Sequence, residues 1–150
     1  MRPRLALEGR SILVVDDHDE TRAAIVEVLS AAGARVMDAR SAQSALLLLE
    51  QACPDLLVTD LEMPDVDGWE LLRCVRGLPP ERGGRTPAVA LTVHNTHEDR
   101  VRSLKAGFRL HLGKPFAPRE LVDLLAALLA SERRDVHKLR MTRPGAPDQR

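Results

Sequence analysis

The chain has 150 residues, 44% of them hydrophobic, which is enough for one domain with its own core. Its 22 basic and 22 acidic side chains cancel, but residues 11–130 carry a net charge of −5 between two mildly basic ends, so nucleic acid is not an expected partner. Three aromatic residues, two cysteines without metal-site spacing and no long apolar run exclude base-stacking modules, disulfide or zinc scaffolds and membrane-spanning helices.

Short apolar runs predict five strands along the chain. The runs are nearly continuous rather than alternating, which is typical of strands buried on both faces of a parallel sheet. Before the first of them, residues 1–10 contain arginine but no apolar segment, so they predict an N-terminal extension and not a signal peptide. We therefore expect a cytoplasmic protein. The predicted strands are residues 11–15, 34–38, 55–60, 87–92 and 109–112.

A helical pattern follows each predicted strand. Asp19 is predicted to cap the first helix and Ser41 to begin the second. Between the third helix and the fourth strand, the proline and glycine pairs of residues 79–84 predict a mobile connector. The predicted helices are residues 19–32, a helix from Ser41 that stops before Pro54, a helix through Leu71, Leu72 and Val75 to Gly77, and residues 98–106 and 118–130.

This strict alternation of five strands and five helices predicts a doubly wound (βα)₅ α/β fold. Right-handed crossovers place helices on both faces of a parallel sheet, which gives three layers. The domain is expected to span residues 11–130. Residues 131–150 lose the apolar pattern and predict a basic, partly disordered C-terminal tail.

Chemically reactive side chains cluster at the predicted strand ends. In such sheets ligands bind at the carboxyl ends of the strands. Three carboxylates at one edge repel each other unless positive charge lies among them. The single lysine ammonium at this edge supplies only part of the positive charge that they need. Mg²⁺ would supply the rest, and together with the lysine it suits a phosphoryl group that a carboxylate can accept. The residues at this edge are Asp16, Asp17, Asp60, Thr92 and Lys114.

Four motifs in this order resemble the receiver domain of response regulators in two-component signalling. They are the strand and acidic pair of residues 12–17, the acid and turn of residues 60–68, the strand end of residues 90–92, and the Lys-Pro-Phe of residues 114–116. The resemblance covers about residues 11–130. It implies a flavodoxin-like sandwich with the strand order 2-1-3-4-5.

The resemblance also implies a phosphoacceptor and its metal ligands. Asp60 would take a phosphoryl group from a sensor histidine kinase or a histidine phosphotransfer protein. Asp17, Asp60 and the backbone carbonyl of Glu62 would ligate Mg²⁺ directly, and Asp16 would hold it through water. The Glu62 side chain is read either as a solvated loop acid or as a group that influences the site.

Signalling residues follow from the same resemblance. Lys114 would pair with phosphoryl oxygens, and the Lys114–Pro115 peptide bond is expected to be cis. Thr92 would move toward the phosphoryl group and repack the face formed by the fourth helix, fifth strand and fifth helix, which a downstream protein or a second copy would read. His111 is either part of this switch or a half-exposed strand residue without a role in it.

Two other classes of function remain as alternatives. A phosphorylation-independent adaptor could keep the same fold. A phosphatase with an aspartate nucleophile, of the haloacid dehalogenase type, would need its nucleophile after the first strand, where this chain has its acidic pair. We therefore expect a signalling module that modifies only itself and is not an enzyme of metabolism. Only 20 residues follow the domain, so we expect a stand-alone relay or a receiver of a hybrid kinase and no DNA-binding output domain.

Overall fold

The computed structural model describes residues 4–142, with side chains described for residues 4–133. Five parallel strands form one sheet in the order β2-β1-β3-β4-β5, which confirms the predicted doubly wound fold and strand order. The strands are β1 (Ser11–Val15), β2 (Arg35–Ala39), β3 (Leu56–Thr59), β4 (Ala88–Thr92) and β5 (Leu110–Gly113). The helices are α1 (Asp19–Ala31), α2 (Ala42–Ala52), α3 (Gly68–Arg76), α4 (His97–Ala106) and α5 (Pro118–Thr142).

Two hydrophobic cores lie on opposite faces of the sheet. Successive side chains of a strand point to opposite faces, so Leu13 and Val15 of β1 enter one core, while Ile12 and Val14 enter the other. The first core is closed by α2 and α3, and the second by α1 and α5. This double burial explains why the strands read as continuous apolar runs.

The first turn of α1 differs from the prediction. His18, not Asp19, is the N-cap residue, and its side chain makes no capping hydrogen bond. Asp19 is the first residue of the helix, and its carboxylate accepts hydrogen bonds from Arg22 and Arg40. Ser41 caps α2 as predicted, its hydroxyl oxygen accepting from the backbone N–H of Ser44.

The segment of residues 79–84, which the sequence predicts to be a mobile connector, forms a regular turn. Residues 80–82 form a short 3₁₀ helix. A Cβ at Gly84 would lie 1.9 Å from the carbonyl oxygen of Leu78, so only glycine fits there. Arg76 donates to the carbonyl oxygens of Gly84 (3.1 Å) and Thr86 (2.7 Å). Proline and glycine here build a packed turn.

Both ends of the chain extend the predicted domain. Leu7 is fully buried, and its backbone N–H donates to the carbonyl oxygen of Ala32, so part of the N-terminal extension packs on the domain. Helix α5 continues to Thr142, past the predicted end at residue 130. The rest of the predicted tail, residues 143–150, lies outside the described residues. No helix in the described range is both long and apolar enough to span a membrane.

Candidate functional site

The predicted site residues converge at the carboxyl edge of the sheet. Asp16 and Asp17 follow β1, Asp60 follows β3, and Lys114 follows β5. Carboxylate oxygens of the three aspartates and a ring nitrogen of His18 lie within 4.8 Å of one another. The fold therefore gathers residues from three separate strand ends into one acidic cluster. His18 is a further member of this cluster that the sequence did not predict, although it directly follows the acidic pair along the chain.

Lys114 is the positive charge of this cluster. Its Nζ atom donates to Asp16 Oδ2 at 2.7 Å and lies 3.5 Å from Asp60 Oδ2. Only 12% of its side chain is exposed, so water screens this pair weakly. The Lys114–Pro115 peptide bond is cis, and the backbone N–H of Lys114 donates to the carbonyl oxygen of Thr92.

The two members of the acidic pair differ in how their oxygens are satisfied. Asp16 is buried, and its two oxygens accept from the backbone N–H of His18 and from Lys114. Asp17 Oδ1 is buried and has no hydrogen-bond partner, although His18 Nδ1 lies 3.5 Å from it. A buried carboxylate oxygen without a partner is costly unless a cation approaches it. The donor set is rich in carboxylates, so these residues fit a hard divalent cation such as Mg²⁺.

The Asp60 carboxylate is buried, and its surroundings stabilise its charge only in part. It is 6% exposed, and this burial raises the pKa of its carboxyl group; Lys114 acts to lower the pKa, and the neighbouring Asp16 carboxylate raises it further. The backbone N–H of Glu62 also points to Asp60 Oδ1, at 3.4 Å. A buried anion that is only partly compensated is a suitable nucleophile and metal ligand, because added positive charge stabilises it.

The loop after Asp60 is fixed by the start of α3. A Cβ at Gly68 would lie 2.2 Å from the carbonyl oxygen of Asp60, so glycine allows α3 to approach Asp60 closely. Asp67 caps α3 by accepting from the backbone N–H of Glu70 at 2.9 Å. Asp67-Gly68 thus shapes the turn.

A histidine–carboxylate pair lies beside the acidic cluster. His94 Nε2 is 2.7 Å from Glu62 Oε1, although both side chains are largely exposed. The hydrogen bond to Glu62 raises the pKa of His94, and the Coulombic attraction of Glu62 adds to it. The Glu62 side chain is therefore exposed and paired, and this partner is 32 residues away in the sequence.

We expect the pairing of His94 to be visible in its titration. Because Glu62 stabilises the imidazolium, His94 keeps its proton to a higher pH than a free histidine, and Glu62→Gln should move its pKa back down. Histidine-selective NMR across neutral pH measures this. Glu98→Gln, an exposed acid in the first turn of α4, is the matched control and should leave His94 unchanged. An unchanged His94 titration in Glu62→Gln would contradict the pairing.

Thr92 and His111 are both buried and both meet the loop after β4. Thr92 Oγ1 accepts from the backbone N–H of His94 at 3.2 Å. His111 Nε2 is 2.8 Å from the carbonyl oxygen of His94, which can only accept, so Nε2 carries a proton. His111 Nδ1 lies 2.7 Å from the Ser103 hydroxyl of α4. At 6% exposure His111 is buried, so the expected half-exposure is wrong, while its part in a switch stays a prediction.

Comparison with known proteins places this geometry in a family. A family model described as "Response regulator receiver domain" matches residues 12–126. An uncharacterized 14.6 kDa protein in the sodA1 3′ region of Leptolyngbya boryana is 46% identical over 119 residues, which cover 79% of this chain and 89% of that protein. The transcriptional regulatory protein GltR of Pseudomonas aeruginosa is 39% identical over 126 residues, covering 83% of this chain but only 51% of GltR.

A solved structure agrees with these sequence matches. The CheY-like response regulator receiver domain protein of Methanospirillum hungatei superposes with a TM-score of 0.75 at 28% identity. The match covers 84% of this chain and 98% of that one. The chain spans about half the length of the transcriptional regulators that it matches. It spans nearly all of the shorter Methanospirillum hungatei protein.

Proposed function

Because the chain belongs to the response regulator receiver domain family, we propose that it accepts a phosphoryl group on Asp60. The donor is a phosphohistidine of a sensor histidine kinase or a histidine phosphotransfer protein. An Asp60 carboxylate oxygen forms the new bond to phosphorus while the nitrogen–phosphorus bond of the donor breaks, and the donor imidazole leaves with its electron pair. The observation that carries this proposal is the partly compensated, buried Asp60 carboxylate beside Lys114.

Mg²⁺ is the proposed cofactor at the acidic cluster. Asp17, Asp60 and the backbone carbonyl of Glu62 would hold it, and Asp16 would reach it through water. When bound, the ion supplies positive charge to the carboxylates and to the phosphoryl oxygens. When Asp60 carries a phosphoryl group, Lys114 would donate to one of its oxygens, because Nζ of Lys114 lies beside the Asp60 carboxylate. Asp17 Oδ1, which is buried and has no hydrogen-bond partner, supports this assignment.

The output of the proposed switch is the face formed by α4, β5 and α5. Thr92 and His111 are the proposed switch residues, because both hydrogen-bond the backbone of His94 in the loop that starts α4. A hydroxyl that turns toward a phosphoryl group releases one of these bonds, which biases the arrangement of the loop and of α4. A downstream protein would read the change, and a second copy of the chain could bind the same face.

The proposed role is that of a cytoplasmic signalling module. It catalyses only its own phosphorylation and dephosphorylation. The alternative of a phosphorylation-independent adaptor is kept because family membership is compatible with it. The two differ in one property, namely whether Asp60 is modified.

Intact mass spectrometry of the full chain tests the proposal directly. Incubation with acetyl phosphate and Mg²⁺ should add one phosphoryl group, and a chelator should prevent the addition. Backbone NMR of the same sample should show changes concentrated on α4, β5 and α5. If a folded, Mg²⁺-binding protein gains no phosphoryl group from acetyl phosphate or from a phosphorylated phosphotransfer protein, the adaptor alternative replaces the proposal.

A further inference from the structure

Arg22, in the first turn of α1, connects three elements through one guanidinium group. Nη1 donates to the main-chain oxygen of Asp16 at 2.8 Å, Nη2 to Asp19 Oδ1 at 2.7 Å, and Nε to Asp38 Oδ2 at 2.8 Å. The side chain is only 14% exposed. A planar fork with five N–H groups can serve three acceptors in different directions, which a single ammonium group cannot do at the same distances.

The Asp16 carbonyl that Arg22 contacts belongs to the peptide group joining Asp16 to Asp17. A peptide group is planar, so the direction of its carbonyl fixes the direction in which the Asp17 backbone continues. On the other side of Asp16, its N–H donates to the carbonyl oxygen of Ala39 at 3.2 Å. Arg22 thereby orients the backbone from which the Asp17 carboxylate, with its unpartnered oxygen, projects into the acidic cluster.

The charge of Arg22 is largely balanced by its own partners. Asp19 and Asp38 both hydrogen-bond the guanidinium, and the bond to Asp19 raises the pKa of Arg22, so the group stays protonated. Two carboxylates around one cation leave little net positive field at the neighbouring cluster. The contact with Asp16 must then act by geometry more than by charge.

We propose that Arg22 is a positioning residue of the cation site, which holds the Asp16–Asp17 peptide so that the Asp17 carboxylate faces the bound ion. The inference rests on the proposed function, because it concerns the Mg²⁺ site of that function. Groups that orient metal ligands without touching the metal change metal affinity about 10–100-fold when removed.

Arg40 offers a matched control for this proposal. Its Nη2 donates to the same Asp19 Oδ1 atom at 2.7 Å, but its side chain is 67% exposed, and among the described residues it pairs with Asp19 only. Arg22→Met and Arg40→Met thus each remove one arginine from Asp19, and only the first removes the contact with Asp16. Calorimetric titration of the full chain with MgCl₂ should show a dissociation constant about 10-fold higher or more in Arg22→Met and within about twofold of wild type in Arg40→Met.

Two further readouts separate positioning from charge and from general destabilisation. Arg22→Lys keeps the charge but not the fork, so its Mg²⁺ affinity should stay weak; full recovery would overturn the geometric role. In phosphorylation by acetyl phosphate, Arg22→Met should need more Mg²⁺ for half-maximal rate, while its rate at saturating Mg²⁺ stays within about twofold of wild type. Arg22→Gln replaces Arg22→Met if urea unfolding shows the methionine variant to be unfolded.

The outcomes distinguish this inference from the function on which it rests. Absence of Mg²⁺ binding in the wild-type chain contradicts the proposed function and the inference together. Mg²⁺ binding by wild type with equal affinity in Arg22→Met contradicts the inference alone. Equal weakening in Arg22→Met and Arg40→Met would assign the effect to Asp19 and also overturn the role of the Asp16 contact.

Discussion

Asp60→Asn is expected to abolish the phosphoryl adduct and, without divalent cations, to raise the melting temperature. The wild-type carboxylate is buried at 6% exposure, and burial raises its pKa above the ordinary value. Removing a buried charge that is only partly compensated is worth about 2 kcal/mol, or about 4–8 °C for a chain of this length. Lys114 keeps its 2.7 Å partner Asp16 in the variant, so no new unpaired charge arises.

The pH dependence of this gain has a definite sign. Since the folded pKa of Asp60 is raised, the wild-type chain is most favoured where the group is protonated and loses stability as pH rises through the folded pKa. Asparagine cannot ionise, so the stability difference should be small at acidic pH and grow toward neutrality. Adding Mg²⁺ should raise the melting temperature of the wild-type chain more than that of the variant and narrow the difference.

Asp65→Asn is the matched control for Asp60→Asn. Asp65 is an exposed acid of the same loop with a φ of 68°, a conformation that asparagine tolerates well. This control should keep the phosphoryl adduct and its melting temperature should change little. Intact mass and differential scanning calorimetry in chelator and in Mg²⁺ read out both effects. A phosphoryl adduct on Asp60→Asn would place the phosphoacceptor elsewhere. A melting temperature of Asp60→Asn below that of wild type in chelator would contradict the claim that the buried Asp60 charge destabilises the fold.

Lys114→Met is expected to have the opposite effect on stability. It leaves the carboxylates of Asp16 and Asp60, which are 1% and 7% exposed, without their cation. Removing one partner of a buried ion pair costs about 3 kcal/mol at neutral pH, or about 6–12 °C. Phosphorylation by acetyl phosphate should slow about 100-fold, because a donor to the phosphoryl oxygens is lost.

Acid should partly rescue Lys114→Met. Without the lysine, the attraction that lowers the pKa of Asp60 is gone, so the folded pKa rises further and more stability is lost as pH rises through it. The difference from wild type is therefore largest at neutral pH and shrinks as the carboxyl groups become protonated. Urea unfolding at acidic and at neutral pH measures the stability difference without the charge screening that guanidinium chloride would add.

An exposed lysine on α4 provides the comparison. Lys105→Met removes the same charge from a solvated position and should change the free energy of unfolding by less than about 0.5 kcal/mol. If Lys114→Met is as stable as Lys105→Met at neutral pH, the pairing with Asp16 and Asp60 makes no net contribution in solution.

The sequence by itself determined the fold class, the strand order through the resemblance, and the set of residues at the sheet edge. Burial on both faces requires uninterrupted apolar strands, and parallel strands bring their carboxyl ends to one side. These are local or topological constraints, so Asp16, Asp60 and Lys114 could be assigned to one site although Asp16 and Lys114 are 98 residues apart.

Only the tertiary structure decided which partner each side chain takes. The burial of His111 against Ser103, the pairing of Glu62 with His94 and the three acceptors of Arg22 depend on distances between separate elements. Local patterns encode whether a residue faces the core, but they do not encode which polar atom lies within 3 Å of it. The capping of α1 shows the same limit. Asp19 has the residue type of a cap, yet His18 is the N-cap, and the Asp19 carboxylate accepts from Arg22 of the same helix and from Arg40 after β2.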